Sequence, residues 1–336
     1  MKIAILGAGA LGTVLGAHLA RAGEDVTLIA RGQRAAYLQE HGATITGLVD
    51  FTVPITVVTD PQQVHKADVL IVTVKTYDMA PALQRVKHLQ VESVLSLQNG
   101  VLKDEQLAQT FGWDKVLGAM THFSAEVLPT GTVRFKTNPG CYLGELPAGT
   151  SPRVQTLGNL FEHVGIAVKV TPHIQSFEWS KYVAWVCLMA PAVLTRLKSY
   201  KILQDPQIAS ITAAIFHEIA QLATIRGLTL HDIALFPTKT LSQLAFDDTV
   251  THIRQIGDRW ASLIPTAKVS TLHDLEQGKR LEVEETLGYA VRQSAALGLP
   301  TPTMDTCYKR DRLKTGPEAC WQVDTFSGHL TGTQTP

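Results

Sequence analysis

The stretch MKIAILGAGALGTVLGAHLARAGEDVTLIAR, residues 1–31, decides how the chain is read. Ile3 to Leu6 is a short apolar run of the buried-strand type, and it breaks at Gly7-Ala8-Gly9-Ala10-Leu11-Gly12. Leu11, Leu15, Leu19 and Ala22 then recur at helical spacing, and a second apolar strand follows at Val26 to Ile29. The unit reads strand, turn, helix, strand. Each glycine then has a mechanical role: Gly7 makes the tight turn, Gly9 lets a pyrophosphate approach, and Gly12 lets helix and strand lie close. The phosphates would sit on the free N–H groups that open the helix, around Ala10 and Leu11. A lone G-x-G-x-x-G is weak evidence, but one that follows a strand and opens a helix points to dinucleotide binding. The competing reading is a tight βα turn in another kind of α/β protein.

The end of the second strand bears on which dinucleotide. An NAD-binding unit usually has Asp or Glu there, accepting from the ribose hydroxyls. Here the position reads Ala30-Arg31, with Arg34 three residues on, and no carboxylate lies between Asp25 and Glu40. A planar guanidinium suits a 2′-phosphate dianion, so NADP(H) is expected rather than NAD(H), with Arg31 as its contact. Whether Arg34 shares that phosphate stays open.

At 336 residues the chain exceeds one ordinary core, and two domains are expected. Its 45% hydrophobic and 18% charged residues are those of a globular protein, and a formal charge of zero argues against nucleic-acid or anionic-membrane partners. Cys141, Cys187, Cys307 and Cys320 are widely spaced, which suggests neither a disulfide framework nor a zinc site. Gly7 interrupts the first apolar run too early for a signal peptide, and the uncharged stretch from Tyr182 to Thr195 is too short to span a bilayer. A cytoplasmic protein is expected.

Further strands are expected near Thr44–Ile45 and Thr52–Val58. Val69 to Val74 is a continuous apolar run, the pattern of a central parallel strand, and a helix should follow from Met79 to His88. Another buried strand, Val94 to Leu97, ends in Gln98-Asn99-Gly100. Ligands of open parallel sheets lie beyond the carboxyl ends of the strands, which is where Lys75 and Asn99 fall. Residues 116–145 alternate with turn glycines and read as antiparallel edge strands, and Ile166 to Val170 as the last strand. The expected architecture is an α/β Rossmann domain over residues 1–172 and an all-α domain over 173–336. Its helices are expected near 174–197, 206–226, 249–263 and 282–297, with an irregular tail after Cys320. The helical half is able to mediate a homodimer, although no oligomeric state is read from the sequence.

Lys181 stands within an apolar stripe, with Ile174, Phe177, Trp185 and Leu188 on its helix face. It must snorkel, pair with a group such as Glu178, or stand at a cleft, where an ammonium can donate a proton. Glu282, Glu284 and Glu285 would open the final helix, as an acidic first turn does. His217-Glu218-Ile219-Ala220-Gln221 approaches the zinc pattern H-E-x-x-H but has Gln at the second ligand position, so no metal is expected.

Together these residues resemble the ketopantoate reductase (2-dehydropantoate 2-reductase) family, from GAGALG at 7–12 to GLPTPTMDTCY at 298–308. Arg31, Val74-Lys75-Thr76 and Leu97-Gln98-Asn99-Gly100 carry the likeness in the first half. In the second half, Trp179-Ser180-Lys181 looks like the family's W-x-K. The segment from Ser270 through Asp274 to Glu282 and Glu284 looks like its S-x-x-x-D…G-x-x-x-E. The resemblance implies NADPH as hydride donor and Lys181 as proton donor. Asn99, Ser270 and Glu282 would hold a small 2-oxo acid, ketopantoate, whose reduction to pantoate serves pantothenate and coenzyme A synthesis. One departure stands out. Four and eight residues after the lysine the family usually carries Asn, lining the site; here Trp185 and Met189 occupy those positions. A reductase of another 2-oxo acid is therefore a second reading, and a non-catalytic NADPH-binding redox sensor a third.

Overall fold

The computed structural model describes residues 1–233 and 236–312; the tail with Cys320 lies outside the described residues. Twelve strands come first: β1 (Lys2–Leu6), β2 (Asp25–Ile29), β3 (Ala43–Gly47), β4 (Phe51–Val53), β5 (Thr56–Val58), β6 (Lys66–Val72), β7 (Gln90–Ser96), β8 (Leu117–Thr121), β9 (Ser124–Val127), β10 (Val133–Thr137), β11 (Cys141–Glu145) and β12 (Val168–Val170). Five helices are interleaved with them: α1 (Ala10–Arg21), α2 (Gly32–His41), α3 (Met79–Val86), α4 (Leu102–Phe111) and α5 (Pro152–His163). The rest is helical: α6 (Ile174–Thr195), α7 (Ser199–Gln204), α8 (Pro206–Ile225), α9 (Thr238–Ser242), α10 (Phe246–Leu263), α11 (Ser270–Glu276), α12 (Leu287–Ala296) and α13 (Pro302–Arg312). An α/β Rossmann half is thus followed by an all-α half.

The main sheet is parallel throughout, in the order β5-β2-β1-β6-β7. Leu6 pairs with both Ile29 and Val72, so β1, β2 and β6 end level and their following loops emerge at one edge. Central strands of such a sheet are covered on both faces, which is why Ile3–Leu6 and Val69–Val72 read as unbroken apolar runs. Residues 116–145 do contain antiparallel pairs, β9 with β10 and β8 with β11. They do not simply edge the main sheet. β10 also joins β3 in parallel, and β11 joins β12 in parallel, giving two smaller sheets.

The glycine turn explains itself sterically. Gly7 has φ +111°, and a Cβ there would stand 2.8 Å from the Val74 nitrogen. At Gly12 a Cβ would fall 2.1 Å from the Gly7 carbonyl oxygen, so α1 packs on the turn only because that atom is missing. Thr73 ties the same turn to the end of β6 by donating from Oγ1 to the Gly7 carbonyl, 2.7 Å.

α6 is buried on nearly every side, as expected for a helix that is apolar all round. It ends at Arg196, whose φ of 57° is left-handed. α8 is long and apolar enough by composition to cross a membrane, yet it packs against α6 and α10. The expected helix over 282–297 is shorter: α12 begins at Leu287, preceded by Glu282 in irregular backbone and by Glu284 and Glu285 in a turn. They cannot be the acidic first turn of that helix.

Candidate active site

A cleft of about 820 Å³ runs along the carboxyl edge of the main sheet and reaches α6. It is lined by the glycine turn from Gly7 to Leu11, by Arg31, Lys75 and Asn99, and by Lys181, Trp185, Ser270 and Glu282 from the helical half. Gly12 lies behind this lining and serves the packing of α1. At Gly9 a Cβ would meet nothing within 4 Å. That space is what an approaching pyrophosphate requires, and the first turn of α1 has no side-chain cap competing for its N–H groups. The residues present therefore fit a dinucleotide.

The two arginines separate. Arg34 is committed to the protein: Nε donates to the Ala8 carbonyl at 2.9 Å, Nη2 to Thr13 Oγ1 at 3.0 Å, and Nη1 to the Gly131 carbonyl. Arg31 is 74% exposed and holds only Asp78, at 2.5 Å, among its described polar contacts.

Lys181 reaches the cleft rather than snorkelling away from it. Its Nζ donates to Asn99 Oδ1 at 2.9 Å and to the Thr121 carbonyl at 2.6 Å. Asn99 lies in the loop after β7 of the main sheet and Thr121 ends β8 of a smaller one, so the two sheets together fix the ammonium. Burial, and next the charge of Lys103, bring its pKa down to about 8. Glu178, the expected local partner, turns elsewhere. Neighbouring His122 is pushed down to about 4 by burial and by the Lys181 charge.

Lys75 also lines the cleft, but its ammonium is engaged by the helical half. It pairs with Asp274 at 2.6 Å and Glu282 at 3.0 Å. Burial works against its charge, while the two carboxylates outweigh that cost and raise its pKa above the ordinary lysine value. Glu282 is further held by the Thr76 N–H at 2.9 Å. Ser270 opens α11 and is exposed on the cleft wall. Trp185 lines the cleft one turn beyond Lys181. Met189, expected beside it, does not: it is fully buried in the helical core. The spacing put both on the lysine's face, but the cleft ends before the next turn of α6.

Nothing in the local pattern of residues signals Lys103. It stands in the first turn of α4 with its side chain 2% exposed, donating to Asp104 Oδ1 at 3.1 Å, to the Ala119 carbonyl at 3.0 Å and to Glu178 Oε1. The Ala119 N–H donates to the same Glu178 oxygen, at 2.9 Å. Within the string Lys103-Asp104-Glu105 these residues look like an ordinary solvated first turn. Only the docking of α6 buries them. The zinc-like His217-Glu218 is structural: His217 meets Thr249, and Glu218 accepts from the N–H groups of Thr303 and Met304 that open α13. Among the described residues no cluster of three or more His, Cys, Asp or Glu is placed to hold a metal ion.

A glycine turn at a parallel sheet edge, facing a lysine from a helical half, defines a nicotinamide-dependent oxidoreductase. The comparisons with known proteins place it more closely. Residues 3–148 match the family described as ketopantoate reductase PanE/ApbA, and residues 173–314 match its C-terminal part. The chain belongs to the ketopantoate reductase family, and it is an oxidoreductase acting on a CH–OH group. Similar curated proteins include a 2-dehydropantoate 2-reductase of Archaeoglobus fulgidus, 27% identical over 89% of this chain and 92% of that protein. One of Pyrococcus horikoshii is 28% identical over 90% and 93%. Among solved structures, a PanE/ApbA family ketopantoate reductase from Ralstonia eutropha JMP134 superposes with a TM-score of 0.80 at 28% identity, covering 93% of this chain and 98% of that one. D-mandelate dehydrogenase, solved with NADH, shares the fold at a TM-score of 0.79 and 19% or lower identity.

Breaking a buried ion pair from one side costs about 3–5 kcal/mol, whereas replacing both partners with apolar groups is often neutral. Glu178→Leu should therefore lose stability on that scale in urea unfolding, and Lys103→Met/Asp104→Asn/Glu178→Leu, which also neutralises the lysine's second carboxylate, should recover most of it. Equal losses in the single and triple variants would show that the ion pairs themselves are not what the fold requires.

Proposed function

We propose that this protein catalyses the NADPH-dependent reduction of ketopantoate to pantoate, in the cytoplasm, as a step toward pantothenate and coenzyme A. The observation that carries this reading is the convergence of Lys181, Asn99, Ser270 and Glu282 on the cleft that begins at the glycine turn. When bound, the reduced nicotinamide supplies the hydride. Lys181 protonates the oxygen that becomes negative as the keto carbon is reduced, and a pKa near 8 suits a donor working near neutrality. Asn99 holds the lysine's ammonium and also borders the substrate space. Ser270 and Glu282 bind the carboxylate and the hydroxyl of the 2-oxo acid, Glu282 being already oriented by Lys75 and Thr76.

A second reading, reduction of a 2-oxo acid with an apolar side chain, is favoured by Trp185. It presents an indole to the cleft where relatives usually carry an amide. Met189 adds nothing to this reading, since it is buried in the core.

Three experiments test these assignments. General acid catalysis is worth about 10²- to 10⁴-fold in rate, so Lys181→Ala should lower kcat on that scale with NADPH affinity intact. A variant of near-full kcat would remove Lys181 from the chemistry. For the cofactor, a charge-assisted contact of about 1.5–3 kcal/mol corresponds to roughly ten- to a hundredfold in affinity. Arg31→Ala should raise the KM for NADPH by that factor and leave NADH nearly unchanged; equal changes would leave Arg31 only its pair with Asp78. The substrate is decided by kcat/KM for ketopantoate against 2-oxoisovalerate. An unpaired polar substrate group costs about 1–3 kcal/mol, or roughly 5- to 150-fold. Trp185→Asn is therefore expected to raise selectivity for ketopantoate by that factor. Absence of ketopantoate turnover in the wild type rejects the first reading, and unchanged selectivity in the variant rejects the second.

A further inference from the structure

Two lysine side chains border one small hollow beside the cleft. Lys103 from α4 and Lys181 from α6 both line a cavity of about 10 Å³, together with Asn99 and Glu178. That is room for about one water molecule. Lys103 is held rigidly there by three acceptors from three elements: Asp104 on its own helix, the Ala119 carbonyl on β8, and Glu178 on α6. α4 is itself clamped to the helical half, because Tyr289 of α12 donates to Glu105 at 2.7 Å. Lys103 does not line the cleft and has no route to substrate. The chemistry read above leaves it without a task, although burying an ammonium is costly.

We propose that Lys103 is a positioning residue for the reduction: a fixed positive charge behind Lys181 that keeps the donor ammonium ready to release its proton. The inference rests on the reading of Lys181 as proton donor. A like charge at close range disfavours the protonated form of its neighbour, and low-dielectric surroundings keep water from screening it. The same device activates lysines elsewhere when a second cation stands beside them. The influence of Lys103 must be weighed against every other charge facing Lys181. Glu178 on the same helix and Glu282 before α12 favour its protonated form, and Lys75 partly neutralises Glu282. Asp104 partly neutralises Lys103, while His122 after β8 is held neutral. Among these charges Lys103 has the largest effect on Lys181, and its sign is to lower the pKa.

The test is the pH dependence of kcat for reduction, measured in wild type, in Lys103→Met and in Lys103→Met/Asp104→Asn/Glu178→Gln. The triple variant neutralises both carboxylates that pair with Lys103, so it reports even if the single variant fails to fold. Reduction should fall in wild type as the pH rises through about 8, where Lys181 loses its proton. In Lys103→Met the fall should move to higher pH by about one unit; in the variant that also loses the opposing charge of Glu178 it should move the same way by less, because Lys103 outweighs Glu178 at Lys181. A merely structural Lys103 would change stability or the plateau rate and leave the midpoint where it was; that result overturns the proposal. Lys181→Ala separates the two layers of argument. If it keeps near-full kcat, the donor assignment fails and this inference with it. If it loses activity while the Lys103 variants keep the wild-type midpoint, the inference alone fails.

Discussion

A shielded ammonium needs acceptors, and in this fold two lysines of the first half find carboxylates across the junction of the two halves. Lys75 at the end of the sheet finds Asp274 and Glu282, and Lys103 at the start of α4 finds Glu178. Asp104 and the Ala119 carbonyl hold Lys103 within its own half, and Glu178 completes the set from the other, so the charges help to specify how the halves dock. The cleft inherits its geometry from that docking. Lys181 meets Asn99 and Thr121 only when α6 is seated against the sheet edge. Apolar burial supplies the bulk of the stability, through separate cores on either side of the sheet and one in the helical half. It says little about register, because apolar contact is non-directional; the ion pairs and their short hydrogen bonds add direction.

The parts legible in the sequence are those written in local patterns. The glycine turn, the two buried central strands and the loops at their carboxyl ends follow from periodicity and from the rule that parallel strands end at one edge. So does the long apolar helix that carries Lys181. What was not legible depends on partners far away in the chain. Lys103 and Glu178 are 75 positions apart and Lys75 and Glu282 are 207, and neither pair leaves a mark in any short window. Met189 shows a subtler limit. Helical spacing tells which face a residue shares, but not how far along that face a cleft extends. On a helix buried on nearly every side, one turn is enough to pass from the cleft wall to the core.

Short helices were also beyond reach. α7, α9 and α11 are each under eight residues, too short to show a period above chance, and they form because the larger helices provide surfaces for them. α11 carries Ser270 and Asp274, so part of the site is displayed on an element whose existence depends on tertiary packing. The residues of that segment are recognisable by their resemblance to relatives, whereas the structure that presents them is not.

Arg34 gives the glycine turn a property that its sequence does not advertise. By binding the Ala8 carbonyl from within the loop, and Thr13 and Gly131 on either side, the guanidinium braces the loop against its surroundings. Loops of this composition are otherwise among the most mobile parts of a chain, since glycine gives up more conformational freedom on ordering than any other residue. With the brace in place that ordering is completed during folding. A dinucleotide then meets a rigid cradle, and less of its contact energy is consumed in arranging the backbone around it. An arginine whose hydrogen bonds go to the protein's own loop thereby contributes to how tightly the ligand is held.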